Sequence, residues 1–209
     1  MLKTILWAAV VLAPVPAMAK APASAWTPAA TRCDLLAWPR YGLSAPVAVR
    51  AAPSLRAHTL GVIPLVAAPY EYSVQFQIVA TRPGWLQIRG ASDDYNENAG
   101  HPRRSVFKGQ GWIEAGAAGL RVQSGKGYAR PDPASRRLLN QMEWLTDVGD
   151  VTAIRGCSGE WVLLDYAITR DSDQKPLPTS QQKTGSAWFR GICTVEETTC
   201  DMPSVDGGP

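Results

Sequence analysis

The side chains that most often carry out catalysis are scarce in this chain and stand apart from one another. The sequence contains two histidines, His58 in a basic turn and His101 in a Gly-His-Pro loop. Neither has a nucleophile or an orienting carboxylate at a spacing typical of general acid–base catalysis. The glycines of residues 109–111 precede a strand pattern, whereas a phosphate-binding loop precedes a helix. The sequence therefore predicts a protein without catalytic residues.

The four cysteines are the other candidates for chemistry: Cys33, Cys157, Cys193 and Cys200. Cysteines bind zinc, act as nucleophiles or form disulfide bonds. A zinc site usually has paired cysteines or histidines at close spacing, and here neither histidine neighbours a cysteine. We therefore expect two disulfide bonds, with no metal site, no cofactor and no free thiol as a nucleophile.

Residues 1–19 have the three parts of an export signal. Lys3 supplies the positive charge, residues 5–15 are apolar, and Ala17-Met18-Ala19 has the small residues of a cleavage site. The apolar run is shorter than the roughly 20 residues that cross a bilayer. We expect this signal peptide to be removed after Ala19. The mature protein would then be periplasmic or extracellular, without stable insertion in the membrane, and in an oxidising compartment that favours disulfide bonds.

The charge of the chain does not indicate a polyanionic partner. The formal net charge is +3, and loss of Lys3 with the leader lowers it to +2. The charged residues are mixed along the chain, without the basic clusters that bind nucleic acid or anionic lipid. The sequence therefore predicts neither nucleic-acid binding nor electrostatic attachment to a membrane.

Tryptophans mark an internal repeat with a period of about 76 to 80 residues. Trp85 and Trp112 are 27 residues apart, and so are Trp161 and Trp188. In each half, an apolar segment precedes a glycine-containing turn and a strand that begins with tryptophan, and a polar loop leads to the second tryptophan. This self-similarity predicts that one supersecondary unit occurs twice.

Each repeat has the pattern of a β-meander. In the first, Val74, Phe76 and Ile78 alternate with polar residues, so one face of this strand is expected to be buried. The one short helix that the pattern allows covers residues 134–144, with Asp132 as its cap. A small meander has one apolar face, and closure into a barrel buries that face and removes exposed edges. The predicted fold class is all-β.

Several segments resemble the bacterial SH3-type domain. Residues 47–54 (VAVRAAPS) are similar to the segment that opens this domain. Residues 84–88 (GWLQI) and 109–113 (GQGWI) are similar to its central and closing tryptophan strands. In the second repeat, residues 160–163 (EWVL) and 185–189 (GSAWF) stand in these places, whereas the opening segment departs from the pattern.

The resemblance implies two tandem SH3-like small β-barrels joined by a short linker, the first over residues 33–122 and the second over 123–201. It extends to the C-terminal cysteines, because exported SH3-type proteins end in a similar Cys-x6-Cys segment. Residues 202–209 are expected to form a disordered tail. SH3-type domains of exported bacterial proteins are generally taken to bind cell-wall peptides or other envelope components, which is an inference from fold alone.

The repeated tryptophans are interpreted as structural. Trp85, Trp112, Trp161 and Trp188 occupy equivalent positions, as core or partly buried core residues of a repeated fold do. Replacement of Trp85 or Trp161 by alanine is expected to cost about 3–5 kcal/mol. The alternative is that a tryptophan lines a peptide groove, where it contributes to binding and little to stability.

The meander also predicts a disulfide pairing. Because neighbouring strands run antiparallel, the end of the closing strand lies beside the start of the middle strand. This places Cys193 near Cys157, so we expect Cys157 to pair with Cys193 or Cys200 and Cys33 to pair with the other. A local Cys193–Cys200 bond is the alternative.

Three tyrosines outside the repeated positions are the candidate ligand-binding residues. Tyr70, Tyr72 and Tyr95 lie in or near loops of the first repeat only, and rigid scaffolds commonly place recognition on loops. The expected partner is a cell-wall peptide or an envelope protein, bound with affinity on the order of micromolar. The alternatives are a structural or regulatory subunit of an envelope complex that does not bind peptidoglycan, and an enzyme with an unrecognised site.

Overall fold

A computed structural model describes residues 25–67, 72–93 and 103–193 and consists mainly of β-strands. The strands of the N-terminal half are β1 (Thr31–Pro39), β2 (Val47–Arg50), β3 (Thr59–Ile63), β4 (Val66–Ala67), β5 (Tyr72–Arg82), β6 (Trp85–Asp93), β7 (Arg104–Glu114) and β8 (Ala118–Gly119). The all-β class predicted from the sequence is confirmed.

The C-terminal half continues with short strands and one short α-helix. Its elements are β9 (Arg121–Val122), β10 (Lys126–Tyr128), β11 (Arg137–Asn140), α1 (Leu145–Val148), β12 (Gly149–Ser158), β13 (Trp161–Ile168), β14 (Lys183–Phe189) and β15 (Ile192–Cys193). Short 3-10 helices follow β7 and precede β14.

The strands form two main sheets. In the first, the order is β3-β2-β7-β6-β5-β1-β8, and β4 pairs with β5 outside this path. In the second, the order is β11-β10-β14-β13-β12, while β15 and β9 form a separate pair. The strands of the first sheet end at Gly119 and those of the second begin at Lys126. The division of the chain near residue 122 stays a prediction.

The two sheets contain the repeat that the tryptophans predicted. The path β3-β2-β7-β6-β5 has the same order as β11-β10-β14-β13-β12, so each repeat is a meander whose last strand pairs with its opening strand. Trp112 pairs with Arg50, whereas Trp188 pairs with Tyr128. Tyr128 therefore takes the place of Arg50 in the second repeat.

The predicted helix at residues 134–144 is wrong, because a strand and two turns occupy this segment. Asp132 caps a turn instead, since its Oδ1 accepts a hydrogen bond from the Ala134 N–H at 2.8 Å. In β11, Leu139 is buried whereas Arg137 is exposed. This alternation fits a strand that pairs with β10, and the pairing outweighs the helix propensity of the local sequence.

Burial along β5 follows the predicted alternation for its apolar side chains. Val74, Phe76 and Ile78 are all buried. Gln75 was expected to face water but is buried as well. Most buried residues of the two sheets form one continuous cluster, whereas two separate barrels would each enclose a core of their own.

The four repeated tryptophans lie on sheet faces that point away from this main cluster. Trp161 and Trp188 are buried in a smaller cluster on the outer face of the second sheet, together with Leu163. Trp85 and Trp112 are half-buried and belong to neither cluster, so their structural role stays a prediction. The tryptophans face away from the main cluster because of the two-residue period of strands, which turns their neighbours toward the core instead.

A disulfide bond joins the two sheets. Cys33 of β1 is bonded to Cys157 of β12, with 5.4 Å between their Cα atoms. The predicted pairing of Cys157 with a C-terminal cysteine is therefore wrong. The reason is that β12 lies at the edge of its sheet and packs against β1. Cys193 is also disulfide-bonded, and Cys200 lies outside the described residues.

Because Tyr166 in β13 is buried, we expect the protein to lose stability at alkaline pH. Burial raises the pKa of its phenol above the ordinary value of 10.0. As the pH rises, the phenol therefore ionises in the unfolded chain before it ionises in the folded protein. The contribution of the neutral, buried phenol to stability is complete below about pH 10 and is lost as the pH rises through the raised pKa. We expect the free energy of unfolding to fall more steeply above about pH 10 in the wild type than in Tyr166→Phe. Urea denaturation across this range tests it, and equal slopes would contradict it.

Candidate binding cleft

The tyrosines predicted to bind ligand are mostly outside the described part of the chain. The structure describes only the backbone of Tyr72, which pairs with Ala67 at the start of β5. Tyr70 and Tyr95 lie outside the described residues. Their role stays a prediction, and the site described below is built from other residues.

A cleft of about 530 Å³ lies between the two sheets. One wall is formed by the turn after β1 and the segment that joins β8 to β9. The facing wall is formed by the start of β12 and the end of β13. This volume lies within the range of pockets that bind small molecules or a few residues of a peptide. We call this space the seam cleft.

An exposed aromatic ring marks the first wall. Tyr41 is 60% exposed, and its ring centre is 6.4 Å from that of the buried Trp38. The turn continues through Gly42, whose φ of +82° is a backbone conformation that favours glycine. A tyrosine held on a tight turn offers a large contact surface at a small cost in conformational entropy.

Three arginines and one aspartate determine the charge of the cleft. Arg40 Nε donates to the Gly116 carbonyl at 2.8 Å. Arg170 forms an ion pair with Asp150 at 3.3 Å and donates to a backbone carbonyl. Arg121 is half-buried, and its guanidinium has no hydrogen bond or ion pair to the described residues. The local charge is therefore positive although the charge of the whole chain is nearly balanced.

A buried hydrogen-bond donor lies in the same wall. Trp38 is 1% exposed, and its Nε1 has no hydrogen-bond partner in the described structure. The ring packs against Gly119, where an added Cβ would lie 3.1 Å from Nε1. A side chain at this position would be tightly packed against the indole, which would have to shift by a few tenths of an ångström. Buried donors without an acceptor are rare in folded proteins.

The lining of the cleft contains a single acidic side chain, that of Asp150. The residues that line the cleft include no histidine, cysteine or serine, and the Asp150 carboxylate is paired with Arg170. His58 is exposed in the loop before β3. Among the described residues there is no group of three or more His, Cys, Asp or Glu side chains that could hold a metal ion.

The aromatic face of the second sheet is covered by the chain itself. Trp26 stacks on Trp188 with ring centres 6.2 Å apart, and the Trp26 carbonyl accepts a hydrogen bond from Trp188 Nε1 at 2.9 Å. The Trp26 N–H donates to the Ala129 carbonyl at 2.9 Å. The segment around Trp26 thus occupies the surface where a ligand would contact Trp188.

Comparisons of the chain with protein-family models, curated proteins and solved structures find no match. In the described part of the chain, no helix has the length and apolar character needed to cross a membrane.

The sequence analysis missed the residues of the seam cleft. A signal was present at residues 38–42 (WPRYG), where two aromatic residues flank a basic one before glycine and outside the repeat. Arg121 and Arg170 have no such local signal. They reach the cleft only because the edge of one sheet packs against the other.

Proposed function

We propose that this protein is an exported, non-enzymatic binding module with two tandem SH3-like units. Its ligand is a cell-wall peptide or another component of the cell envelope, bound in the seam cleft. The observation that carries the proposal is the combination of the exposed Tyr41 ring with the Arg121 guanidinium, which has no partner among the described residues.

The rest of the chain supports this proposal. The two five-stranded meanders with one strand order are expected of tandem SH3-like units. The disulfide between Cys33 and Cys157 is expected of a protein in an oxidising compartment. The one acidic side chain of the cleft lining, Asp150, is paired with Arg170, which favours recognition over reaction.

Co-sedimentation with purified peptidoglycan and with envelope proteins tests the proposal. We expect the wild-type protein to sediment with one of the two, and Tyr41→Ala to reduce the bound fraction about fivefold or more, because it removes a central aromatic contact. Met142→Ala is the matched control, since Met142 is 94% exposed and lies outside the cleft. Tyr95→Ala tests the loop that the sequence indicated.

Two outcomes would contradict this assignment. If the wild-type protein stays in the supernatant in both assays, the binding-module proposal fails. If Tyr95→Ala abolishes sedimentation and Tyr41→Ala does not, binding occurs through the loop instead of the seam cleft.

A structural subunit of an envelope complex is the second candidate, and the edge of the first sheet favours it. Strand β3 ends the strand order of this sheet. Leu60 and Val62 on this strand are 46% and 49% exposed, and Leu55 in the preceding loop is 63% exposed. Apolar edge strands tend to pair with other chains. This candidate would be favoured if the wild-type protein sediments with envelope proteins but not with peptidoglycan, and if Val62→Lys abolishes that sedimentation.

A further inference from the structure

We propose that the seam cleft recognises a carboxylate on a short extended peptide and that Arg121 binds this carboxylate. The inference rests on the proposed function, because it assigns the ligand chemistry of the same cleft. It is carried by three features: a guanidinium without a partner among the described residues, the local excess of positive charge and the position of β12 at the edge of its sheet.

The guanidinium of Arg121 is the only one of the three cleft arginines for which the described structure contains no acceptor. Its backbone is held in β9 by pairing with Cys193 in β15, and the residue is half-buried. Guanidinium presents several N–H donors in a planar fork that matches a carboxylate. A partly buried fork without a partner is therefore a preorganised site for an anionic group.

The neighbouring charges strengthen this preference. Arg40 and Arg170 line the same cleft, and Asp150 is the one acidic residue of its lining. The Arg170–Asp150 ion pair neutralises one positive charge. In the described part of the chain, neither Arg40 nor Arg121 forms an ion pair with an acidic side chain. An anion between these groups would be attracted by both, and more strongly than in bulk water because the cleft is partly enclosed.

The edge of β12 favours a peptide over a free anion. Among the described residues β12 pairs only with β13, so alternate N–H and C=O groups of its backbone point away from that strand. Residues 149–152 of β12 line the cleft. The Gly149 carbonyl accepts a hydrogen bond from Arg170. An extended peptide would therefore pair with the edge groups of residues 150–152 and contact the ring of Tyr41.

Trp38 Nε1 provides a second unsatisfied donor in the wall that contains Arg121. This nitrogen is buried, so a ligand in the cleft cannot reach it without a shift of the wall. We therefore assign the carboxylate to Arg121 and not to Trp38. Gly119 and Arg40 lie next to the indole nitrogen, and Arg40 belongs to the same turn as Tyr41.

Isothermal titration calorimetry with three probes tests the inference. The probes are acetyl-trialanine with a free carboxylate, the same peptide as its C-terminal amide, and inorganic phosphate. We expect the free acid to bind about tenfold or more tightly than the amide, because charged hydrogen bonds to guanidinium are lost in the amide. Arg121→Ala should remove this difference, whereas the exposed Arg136→Ala should preserve it.

Equal affinity for the acid and the amide, no detectable binding of either at millimolar concentration, or phosphate binding tighter than the acid would each overturn the inference. Its failure can be distinguished from failure of the proposed function. Tyr41-dependent sedimentation with equal binding of acid and amide rejects the carboxylate assignment alone. Selective binding of the acid without sedimentation supports the carboxylate site and rejects the envelope ligand.

Discussion

Replacement of both Cys33 and Cys157 by alanine is expected to lower the free energy of unfolding by about 3–5 kcal/mol. The bond connects residues 124 positions apart, and cross-links across long loops remove the most entropy from the unfolded chain. It also holds β1 against β12, two strands whose neighbouring segments form the walls of the seam cleft. Equilibrium urea denaturation measures the loss of stability, and intact mass confirms the oxidation state of the remaining cysteines.

Ser158→Ala is the matched control for this double variant. Ser158 follows Cys157 on β12 but is exposed, and we expect its replacement to change stability by less than about 0.5 kcal/mol. If the free energy of unfolding of the double variant falls by less than about 1 kcal/mol, packing holds the two sheets together without the covalent bond. In that case the structural importance assigned to the disulfide is wrong.

Trp188→Ala is expected to cost about 3–5 kcal/mol, the range for deletion of a large buried aromatic side chain. Trp188 is 0% exposed and contacts Trp26 through both its ring and its Nε1–H group. The substitution therefore leaves a cavity and releases the segment that covers this face. Thermal and urea denaturation of the purified variant measure the effect.

Trp112→Ala provides the comparison, because Trp112 is the repeat-equivalent residue and is only half-buried. Its ring lies 5.5 Å from the Arg82 guanidinium carbon, without the cover that Trp26 provides in the other repeat. We expect a loss of about 1 kcal/mol. Similar losses for both tryptophans would show that the repeats are equivalent in energy as well as in topology, contrary to the burial described here.

The difference between these tryptophans shows the limit of an argument from repetition. Equal spacing correctly placed each pair on the middle and closing strands of a meander. It did not predict burial, because Leu163 makes the outer face apolar in the second repeat whereas Gln87 stands at the corresponding position in the first. Burial also required Trp26, which belongs to a segment outside the repeat.

The disulfide prediction failed for a related reason. It considered only strands within one repeat, where the antiparallel ladder brings neighbouring segments together. Strand β1 has no counterpart in the repeat order, yet it pairs with β5 and β8 and lies against β12. Cys33 was therefore closer to Cys157 than a local argument could predict.

The sequence by itself determined the all-β class and the two tryptophan-marked meanders. These properties depend on side-chain alternation and turn residues within short segments, where the two-residue period of a strand acts locally. The tertiary structure alone decided the disulfide partners, the different burial of the tryptophans and the seam cleft. Tyr41, Arg121 and Arg170 are far apart in sequence and line one cleft only because the edge strand of one sheet packs against the other. Such packing depends on the summed burial of many residues, which no single motif encodes.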